Sequence, residues 1–378
     1  MRIGVPRETA EGERRVALVP EVVRKLTGQE HQVVFERGAG AGALLPDSQY
    51  EEAGGVPDDG AGVWECDVVV KVAPPTADEA ARLRSDGVLI GFLQPLTNGD
   101  GIRAIARAGV TSFALEAVPR ISRAQSMDAL SSQANIGGYR AALIGAQELG
   151  RFYPMLMTAA GTIRPATVLV LGAGVAGLQA IATARRLGAV VQGFDVRAAV
   201  KEQVESLGAT FLEFDLGGDL ESAGGYAREL TPEEQARQQE LMAEAIGKVD
   251  VVITTAAVPG RRAPILVTED AVQRMKPGSV IVDLAAETGG NCELSEPGQS
   301  IVRHDVKILA PLNVPSTLAE HASQLYARNI EALLGLMTKE GRLELDFEDE
   351  VIAGACITRG GEIVHEGARE AAGAATAS

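Results

Sequence analysis

The stretch that decides the fold covers residues 167–197 and reads TVLVLGAGVAGLQAIATARRLGAVVQGFDVR. It opens with the apolar run 168–171, which is typical of a buried strand in a parallel sheet. The run leads into a helix through a G-x-G-x-x-G turn made by Gly172, Gly174 and Gly177. In such turns the first glycine allows a tight bend, the second lets backbone N–H groups approach a pyrophosphate, and the third lets helix and strand pack closely. The pattern therefore predicts a dinucleotide-binding βαβ unit whose helix N-terminus faces the phosphates.

A second strand, Val190–Phe194, delivers Asp195 at about the spacing that this fingerprint expects. A carboxylate there accepts hydrogen bonds from the adenosine ribose and repels a 2′-phosphate, so we expect NAD to be preferred over NADP. Arg197 does not fit this pattern, because an arginine near this position can pair with a 2′-phosphate. Since Asp195 comes first, we expect Arg197 to lie over the adenine or to pair with a surface acid. The glycines alone would also suit a strand end without a ligand, but the full order of elements favours the NAD site.

Composition limits the classes of function. With 378 residues the chain is long enough for two domains, and its 46% hydrophobic content is ordinary for a globular protein. The formal net charge of −16 argues against nucleic acid or an anionic membrane as a direct partner. No run approaches the ~20 apolar residues that span a bilayer, and the opening MRIGVPRETAEGERR lacks the hydrophobic segment of a signal peptide. We therefore expect a cytoplasmic protein unless a partner tethers it to a membrane.

The spacing of cysteine and histidine gives no metal motif. The three cysteines are far apart and form no C-x-x-C pair: Cys66, Cys292 and Cys356. The four histidines form no H-E-x-x-H pattern: His31, His304, His321 and His365. We predict no metal site, and we expect single buried thiols in a reducing compartment.

Two βα alternations predict an α/β fold with two Rossmann-like domains. In the first, the predicted strands are 2–5, 32–36, 67–72, 88–93 and 110–115, and the intervening segments include 21–27, 77–84 and 101–108. The second begins with the fingerprint, and its later strands are predicted at 210–214, 250–254, 279–284 and 306–310. This order fits a doubly wound parallel sheet that carries the dinucleotide-binding fingerprint.

Two helices are predicted to bridge the domains, one over 132–149 and one after Pro315, where Thr317 and Glu320 form a candidate capping box. We place an N-terminal α/β domain at 1–131 plus 338–378, and the NAD-binding domain with both helices at 132–337. The C-terminal segment is expected to return to the first domain as a hairpin of 350–357 and 362–365. Beyond about Gly367 we expect disorder.

The connection between the strands ending near Phe214 and starting near Asp250 is too long for a compact sheet. A polar helix is predicted to begin at Thr231 and Pro232. Before it, residues 217–230 read GGDLESAGGYAREL, and two interpretations stay open. The segment is either a disordered surface loop or a lid that closes Tyr226 over a bound nucleotide.

Residues 119–133, PRISRAQSMDALSSQ, would by composition alone form a polar linker. They resemble the R-Q-D nucleotide-contacting loop of the NAD(P) transhydrogenase alpha-subunit family, the NAD(H)-binding component of a proton-pumping enzyme. The resemblance covers nearly the whole chain and includes RIGVPRETAEGERRVALVPE, DVVVKVAPP, the fingerprint, GGYA and AAETGGNCE. It is specific, because the R-Q-D loop and GGYA are not general features of nucleotide-binding folds.

The resemblance implies roles for individual residues. Arg120, Gln125 and Asp128 would be the catalytic loop residues, contacting the nicotinamide half of NAD(H) together with Ser131. The cofactor-binding residues that it implies are Ile121, Ser122, Ser126, Met127, Ser131, Gly172, Gly174, Val175, Gly177, Asp195, Val196, Arg197, Gly225, Tyr226, Gln238 and Ala257. No metal is implied.

The nearest competing family is alanine dehydrogenase, which has a similar fold and opening sequence. Resemblance places its carboxylate-binding arginine and lysine at Arg15 and Lys71, and its late-loop acid at Glu287. Its catalytic histidine falls within GFLQPL, where this chain has Gln94. An amide cannot act as a general acid or base near neutral pH, so amino-acid oxidation lacks its proton-transfer group unless Glu287 takes over that role.

Hydride transfer between two nicotinamides needs alignment of the rings rather than an acid–base residue. The resemblance implies an NAD(H)-binding subunit that passes hydride from NADH to NADP⁺ on an NADP-binding partner subunit, while a membrane-spanning subunit couples the transfer to proton movement. It also implies a homodimer, held at the inner face of the cell membrane through its partners. Two alternatives stay open, an alanine dehydrogenase-like oxidoreductase and an NAD-binding regulatory module without redox activity.

Overall fold

The computed structural model describes residues 1–214, 232–257 and 260–374. The chain divides into two compact units, Met1–Gln133 with Pro315–Ser378 (unit 1) and Ala134–Val314 (unit 2). Each unit contains one large, mainly parallel sheet together with helices. The predicted α/β class with two Rossmann-like folds is confirmed.

The secondary structure alternates between strands and helices along most of the chain. The strands are β1 Arg2–Val5, β2 Gln32–Glu36, β3 Val56–Asp58, β4 Val68–Val70, β5 Val88–Gly91, β6 Thr111–Ala114, β7 Leu156–Thr158, β8 Gly161–Ile163, β9 Thr167–Leu171, β10 Val190–Phe194, β11 Thr210–Phe211, β12 Val251–Thr254, β13 Val280–Asp283, β14 Ser300–Arg303, β15 Val306–Leu309, β16 Thr338–Lys339, β17 Arg342–Leu343, β18 Cys356–Arg359 and β19 Glu362–Ile363. The α-helices are α1 Pro20–Gly28, α2 Asp47–Glu52, α3 Ala77–Ala80, α4 Gly99–Arg107, α5 Ala129–Glu148, α6 Val175–Arg186, α7 Lys201–Ser206, α8 Pro232–Ile246, α9 Glu269–Gln273, α10 Ala319–Met337, α11 Glu350–Ala355 and α12 Glu366–Ala374. Among the described residues, no helix combines the length and the apolar character needed to cross a membrane.

The sheet of unit 1 has eight strands in the order β19-β18-β6-β5-β4-β1-β2-β3. Strands β1 to β6 are parallel, whereas β18 runs antiparallel to β6 and forms a hairpin with β19. One face packs against α1, α10 and α11, and the other packs against α4, α12 and Trp64. Both faces are covered, so a strand such as β4 is buried along its whole length.

The sheet of unit 2 has seven strands in the order β11-β10-β9-β12-β13-β15-β14. All are parallel except the edge strand β14, which runs antiparallel to β15. From β9, the chain adds β10 and β11 on one side of the sheet and the later strands on the other. The direction in which strands are added therefore reverses between β9 and β12. Sheets of this kind bind ligands in the crevice at the carboxyl ends of the strands at that switch point. Here the point lies after Leu171 and Thr254, which are register partners.

Residues 315–337 are grouped with unit 1, whereas the sequence pattern predicts them in the second domain. Helix α10 buries its apolar side in the core of unit 1, and its Tyr326 hydroxyl donates to the Lys71 carbonyl at 2.7 Å. The predicted capping box is not formed, because α10 follows a 3-10 turn at Val314–Leu318 and no side chain caps it at Leu318. An amphipathic pattern predicts a helix but does not show which core the helix faces.

The C-terminal segment returns to the sheet of unit 1 as the predicted hairpin, formed by β18 and β19, but its first strand begins at Cys356 and not at residue 350. Residues Glu350–Ala355 form α11 instead of a strand, because Asp349 Oδ1 accepts hydrogen bonds from the N–H groups of Val351 and Ile352 and caps the helix. The predicted disorder beyond Gly367 is wrong as far as Ala374. Helix α12 begins where His365 Nδ1 accepts the N–H of Ala368, whose side chain is fully buried.

Short edge elements are missing from the prediction. Strands β3 and β14 lie at sheet edges, and β7 pairs with β8 in a separate two-stranded hairpin whose residues are exposed. Their sequences lack the regular alternation of apolar and polar residues that identifies a half-buried strand.

Candidate functional site

The turn after β9 gives each of its three glycines a distinct structural role. Gly172 has a φ of +97°, a left-handed conformation that favours glycine. A Cβ on Gly177 would lie 1.8 Å from the carbonyl oxygen of Gly172, so a larger residue would push helix and strand apart. A Cβ on Gly174, in contrast, would meet no atom of the described residues within 4 Å. The first and third glycines serve the packing of the turn, and the second has no close neighbour in the part of the chain that the structure describes.

Helix α6 begins at Val175, and its cap residue Gly174 provides no side-chain hydrogen bond. The first N–H groups of a helix lack partners within the helix, and the helix dipole places positive charge there. These N–H groups and Gly174, which has no close contact among the described residues, lie together at the switch point of the sheet. The residues present therefore fit the pyrophosphate of a dinucleotide.

Asp195 follows β10 and reaches into the same turn. Its Oδ2 accepts the N–H of Ala173 at 2.8 Å, and its Oδ1 accepts the N–H of Arg197 at 2.9 Å. The Arg197 guanidinium also pairs with both oxygens, at 2.9 and 3.0 Å. Burial alone would raise the pKa of Asp195, but the Arg197 side chain and the backbone N–H groups outweigh it and hold that pKa below its usual value. Asp195 is thus ionised at neutral pH, and the partner of Arg197 is the fingerprint acid itself.

The remaining residues predicted for unit 2 are only partly described. Val196 and Ala257 are exposed, and Gln238 is half-buried on α8. Ala257 lies two residues after Thr255, whose Oγ1 donates to the carbonyl of Gly172 at 3.1 Å. Gly225 and Tyr226 lie outside the described residues, so the lid stays a prediction.

The loop 119–133 is held in unit 1 by its buried and charged neighbours. It contains a 3-10 turn, Ser122–Met127, whose Ala124 and Met127 side chains are buried in the apolar core. Arg123 pairs with both carboxylate oxygens of Asp349 at 2.9 Å. Asn329 on α10 donates to the Ser126 carbonyl at 2.8 Å. Because the Met127 side chain is buried in this core, it is not available to a ligand.

The three predicted catalytic residues of this loop differ in their surroundings. The side chains of Arg120 and Gln125 are exposed and, across the residues that the structure describes, make no hydrogen bond. Asp128 Oδ1 accepts the N–H of Ser131 at 2.8 Å and its Oδ2 accepts the Ser131 hydroxyl at 2.6 Å. Asp128 therefore caps the first turn of α5, while Arg120 and Gln125 are available to a ligand.

Gln94 lies beyond the end of β5, is exposed, and has a φ of +54°. Glu116 Oε1 holds this turn, because it accepts the N–H groups of Leu93 at 2.9 Å and of Gln94 at 2.6 Å. The other oxygen, Oε2, is buried and has no hydrogen-bond partner within the described residues. Burial raises the pKa of Glu116 to about 7. Sequence patterns do not identify Glu116, since a single acid in FALEAV matches no motif.

Arg15 and Lys71 are both buried, with only 8% and 1% of their surface exposed. Lys71 Nζ lies 3.3 Å from Glu8 Oε2 and 3.4 Å from Glu79 Oε2. Arg15 contacts both carboxylate oxygens of Glu13, at 2.8 and 2.6 Å. Burial raises the pKa of Glu8, against the opposing effect of Lys71 and two backbone N–H groups. Both cations therefore already have carboxylate partners within the chain, and a substrate carboxylate would have to displace them.

The AAETGGNCE segment of unit 2 contains a buried hydrogen-bond network that no sequence pattern predicts. Glu287, in the 3-10 turn Ala286–Thr288, accepts the N–H of Asn313 at 2.6 Å. Asp283 is fully buried and accepts hydrogen bonds from Thr254 Oγ1, Ser295 Oγ and the N–H groups of Ala285, Asn291 and Cys292. In the sequence, the adjacent glycines Gly289 and Gly290 indicate an unusual turn at this place. Both have positive φ in the structure, but the pair does not predict the hydrogen-bond network around it.

Comparison with known proteins assigns both halves of the chain to one family. Residues 4–137 match the family described as alanine dehydrogenase/PNT, N-terminal domain, and residues 141–366 match alanine dehydrogenase/PNT, C-terminal domain. An NAD(P) transhydrogenase subunit alpha chain of Rhodospirillum rubrum is 50% identical over 379 residues, which cover 97% of this chain and 98% of that protein. The solved structure of a transhydrogenase from Sinorhizobium meliloti is 45% identical, with a TM-score of 0.86, and the match covers 97% of this chain and 99% of that one.

The competing family is represented by a more distant relative. The alanine dehydrogenase of Mycobacterium tuberculosis is 32% identical over 375 residues, which cover 91% of this chain and 94% of that protein. The predicted resemblance to the transhydrogenase alpha subunit is thus confirmed, with alanine dehydrogenase further away. The chain belongs to the alanine dehydrogenase/PNT family of oxidoreductases, among relatives named as NAD(P) transhydrogenase alpha subunits.

Proposed function

We propose that this chain is the NAD(H)-binding subunit of a proton-translocating NAD(P) transhydrogenase, in which hydride passes between NADH and NADP⁺ bound to a partner subunit. The observation that carries the proposal is the glycine turn of unit 2 with Asp195 beside it at the switch point of the sheet. The identity of 50% to a transhydrogenase alpha subunit supports the same function.

The preference for NAD(H) rests on the Asp195 carboxylate. It is ionised and fixed to the turn through Ala173, and the two ribose hydroxyls of adenosine would share its oxygens with Ala173 and Arg197, which already donate to them. A 2′-phosphate would meet this negative charge at close range. Arg197 offers that phosphate little compensation, because its guanidinium is already paired with Asp195.

The transfer step asks this chain for orientation rather than for proton transfer. A bound dihydronicotinamide supplies the hydride itself. We assign Arg120 and Gln125 to hold the carboxamide of that ring through hydrogen bonds, since both side chains are exposed and not engaged within the described residues. Asp128 and Ser131 keep the end of the loop fixed at the start of α5. Alignment of the reacting rings is where such contacts contribute to rate.

A second candidate function, amino-acid oxidation, is favoured by the presence of Arg15 and Lys71. Their surroundings weaken it, because Glu13, Glu8 and Glu79 already neutralise both cations. Gln94 provides no acid or base, and the amine of an amino acid has to lose protons during oxidation.

The partners follow from the proposed activity. An NADP-binding subunit accepts the hydride, and a membrane-spanning subunit couples the transfer to proton movement and places this chain at the inner face of the cell membrane. We further propose a homodimer that uses the β7–β8 hairpin, whose Met157 and Ile163 are 73% and 47% exposed. Exposed apolar side chains on a small, isolated hairpin favour burial against another chain.

Calorimetry of the purified chain with NADH and with NADPH tests the binding site. Addition of an NADP-binding partner subunit, with a spectroscopically distinct NADP⁺ analogue as acceptor, tests the transfer. We expect tight NADH binding, transfer only with the partner, and no turnover with alanine or pyruvate. Sustained amination of pyruvate by the isolated chain would establish the dehydrogenase instead. NADH binding without transfer in the presence of the partner would indicate a regulatory module.

A further inference from the structure

The AAETGGNCE segment is a motif of the resemblance to which the proposed activity gives no role, and the Asn291 side chain makes three hydrogen bonds. Asn291 is fully buried in unit 2. Its Oδ1 accepts the N–H of Ala256 at 3.0 Å, while its Nδ2 donates to the carbonyls of Ala256 and Pro264, both at 2.8 Å. One side-chain amide thus pairs with both backbone groups of Ala256 and joins that residue to a second loop.

The backbone that Asn291 holds lies directly beside the glycine turn. Ala256 follows Thr255, whose N–H donates to the Leu171 carbonyl at 2.8 Å and whose Oγ1 donates to the Gly172 carbonyl at 3.1 Å. A Cβ on Gly172 would lie 2.6 Å from Thr255 Oγ1 and 3.2 Å from the Ala256 nitrogen. The position of residues 255–257 and that of the turn are therefore coupled by direct contact.

Asn291 is itself fixed from the opposite side. Its N–H donates to Asp283 Oδ2 at 2.9 Å, and Asp283 Oδ1 accepts Thr254 Oγ1 at 2.8 Å. A Cβ on Gly290 would lie 2.9 Å from Asp283 Oδ2, so the close approach of this loop to the carboxylate needs a glycine. Asp283 and Asn291 together connect the carboxyl end of β13 to the carboxyl end of β12.

We propose that Asn291 is a positioning residue of the dinucleotide site, which fixes the backbone at Ala256–Ala257 beside the Gly172 turn and so sets the affinity for NADH. The proposal rests on the proposed function, since it names how that site is held in shape. Only a side chain with one acceptor and two donors satisfies the three backbone groups at once, and asparagine is the shortest that has them. Without the Asn291 amide these three backbone groups lose their hydrogen-bond partner, so the segment is no longer held in one position and can move toward other partners.

The test compares Asn291→Ala with Ser295→Ala, a matched control. Ser295 Oγ donates to the same Asp283 Oδ2 at 2.7 Å, but no hydrogen bond within the described residues joins it to Ala256. Calorimetry with NADH, thermal unfolding of each variant and steady-state transfer with the partner subunit supply the readouts. For Asn291→Ala we expect NADH affinity to fall about tenfold and KM for NADH to rise, with kcat recovered at saturating NADH. Ser295→Ala should bind NADH within about twofold of the unaltered chain.

A third variant covers the case in which Asn291→Ala does not fold. Asn291→Asp keeps the shape but places a carboxylate against the carbonyls of Ala256 and Pro264 at neutral pH. Its NADH affinity should recover in part as the pH is lowered from about 8 to about 5.5, because a protonated carboxyl regains one donor. The unaltered chain serves as the reference at each pH.

The outcomes separate the two proposals. If the unaltered chain does not bind NADH, the proposed function fails. If it binds, and either Asn291→Ala binds equally well or Ser295→Ala loses the same affinity, the positioning role of Asn291 is wrong. A pH-independent loss in Asn291→Asp would also contradict the role of its amide donors.

Discussion

At the scale of single residues, Asp195 and Arg197 show how one ion pair can serve a binding site. The carboxylate is largely buried and tied to the turn, while the guanidinium lies exposed above it. Because the arginine covers both oxygens, ribose hydroxyls must share the carboxylate with it. Arg197 thereby keeps Asp195 ionised and is itself kept away from a 2′-phosphate.

Asp195→Asn should weaken NADH binding about tenfold, because charge-assisted hydrogen bonds to the ribose are replaced by weaker neutral ones. The same change should reduce the difference in affinity between NADH and NADPH, since it removes the charge that repels the 2′-phosphate and releases Arg197. Calorimetry with both nucleotides measures the effect, and Glu213→Gln, which removes a surface partner of Lys201, is the control. Equal affinity of the unaltered chain for NADH and NADPH would contradict the assignment.

Glu116 should make stability depend on pH. Its pKa of about 7 in the folded chain lies above the usual 4.5, so folding favours the protonated form. The stability that this group contributes is full below pH ~4.5 and is lost as the pH rises through about 7. Glu116→Gln keeps an acceptor for Leu93 and Gln94 but does not ionise. The free energy of unfolding of Glu116→Gln, relative to that of the unaltered chain, should therefore increase by about 1–3 kcal/mol as the pH rises from 5 to 8.

Chemical denaturation at several pH values checks this difference. Glu52→Gln, at an exposed position of the same unit, is the control for replacing a carboxylate by an amide. A difference for Glu116→Gln that is independent of pH would show that its carboxyl titrates in the ordinary range.

At the scale of elements, the glycine turn separates packing from binding. Gly177→Ala should destabilise unit 2 by about 2–4 kcal/mol, since its Cβ would meet the Gly172 carbonyl at 1.8 Å. The Cβ of Gly174→Ala meets no atom of the residues that the structure describes, so the free energy of unfolding should stay within about 0.5 kcal/mol of the unaltered chain. Its NADH affinity should nevertheless fall at least tenfold, because the methyl group occupies the space proposed for the pyrophosphate. Thermal unfolding measures the stability of both variants, and calorimetry measures their NADH affinity. Tight NADH binding by Gly174→Ala would place the pyrophosphate elsewhere.

The loop 119–133 should affect transfer more than binding. Arg120→Ala and Gln125→Ala are each expected to slow hydride transfer at least tenfold while NADH affinity changes less than about threefold, because these side chains orient the ring. Arg107→Ala, an exposed arginine on α4, is the control. Stopped-flow measurement of the transfer rates with the partner subunit, together with calorimetric affinities, tests this. Unchanged rates would indicate that the loop is only a polar linker.

The helices of unit 1 show where periodicity stops being informative. The apolar stripe of α10 predicts the helix correctly, but its burial in the core of unit 1 depends on the strands it meets. Residues 350–357 are predicted as the first strand of a hairpin, yet the cap at Asp349 makes residues 350–355 the helix α11. Helix α12 has a small-residue composition typical of disorder, and it is ordered because Ala368 and Ala372 fit closely against α4.

At the scale of the whole molecule, we expect a dimer in solution. Met157→Lys places a charge on the exposed β7–β8 hairpin and should shift the chain toward monomer, since a buried charge without a partner opposes association. Analytical ultracentrifugation at several concentrations measures this. Val302→Lys, on the exposed edge strand β14, is the matched control and should leave the dimer intact. A dimer unaffected by Met157→Lys would place the interface elsewhere.

Features that depend on local order follow from the amino-acid sequence without further information. The apolar strand, the glycine spacing and the acid at the end of the next strand predict the βαβ unit of unit 2 and its sheet, because strand, turn and helix follow from backbone geometry over about 30 residues. Resemblance over the whole chain identified the family. The proposed roles of Arg120, Gln125 and Asp128 came from resemblance, and the structure adds which of them are exposed.

Contacts between residues far apart in the chain are known only from the folded molecule. Lys71 meets Glu8, Asn291 meets Ala256, and Glu116 meets the N–H groups at Gln94 only because parallel strands bring their carboxyl ends to one edge of a sheet. Burial then sets the charge state of groups such as Glu116 and the partners of cations such as Lys71. No local pattern encodes these contacts, because hydrogen bonding and desolvation depend on the assembled neighbours and not on the order of the chain.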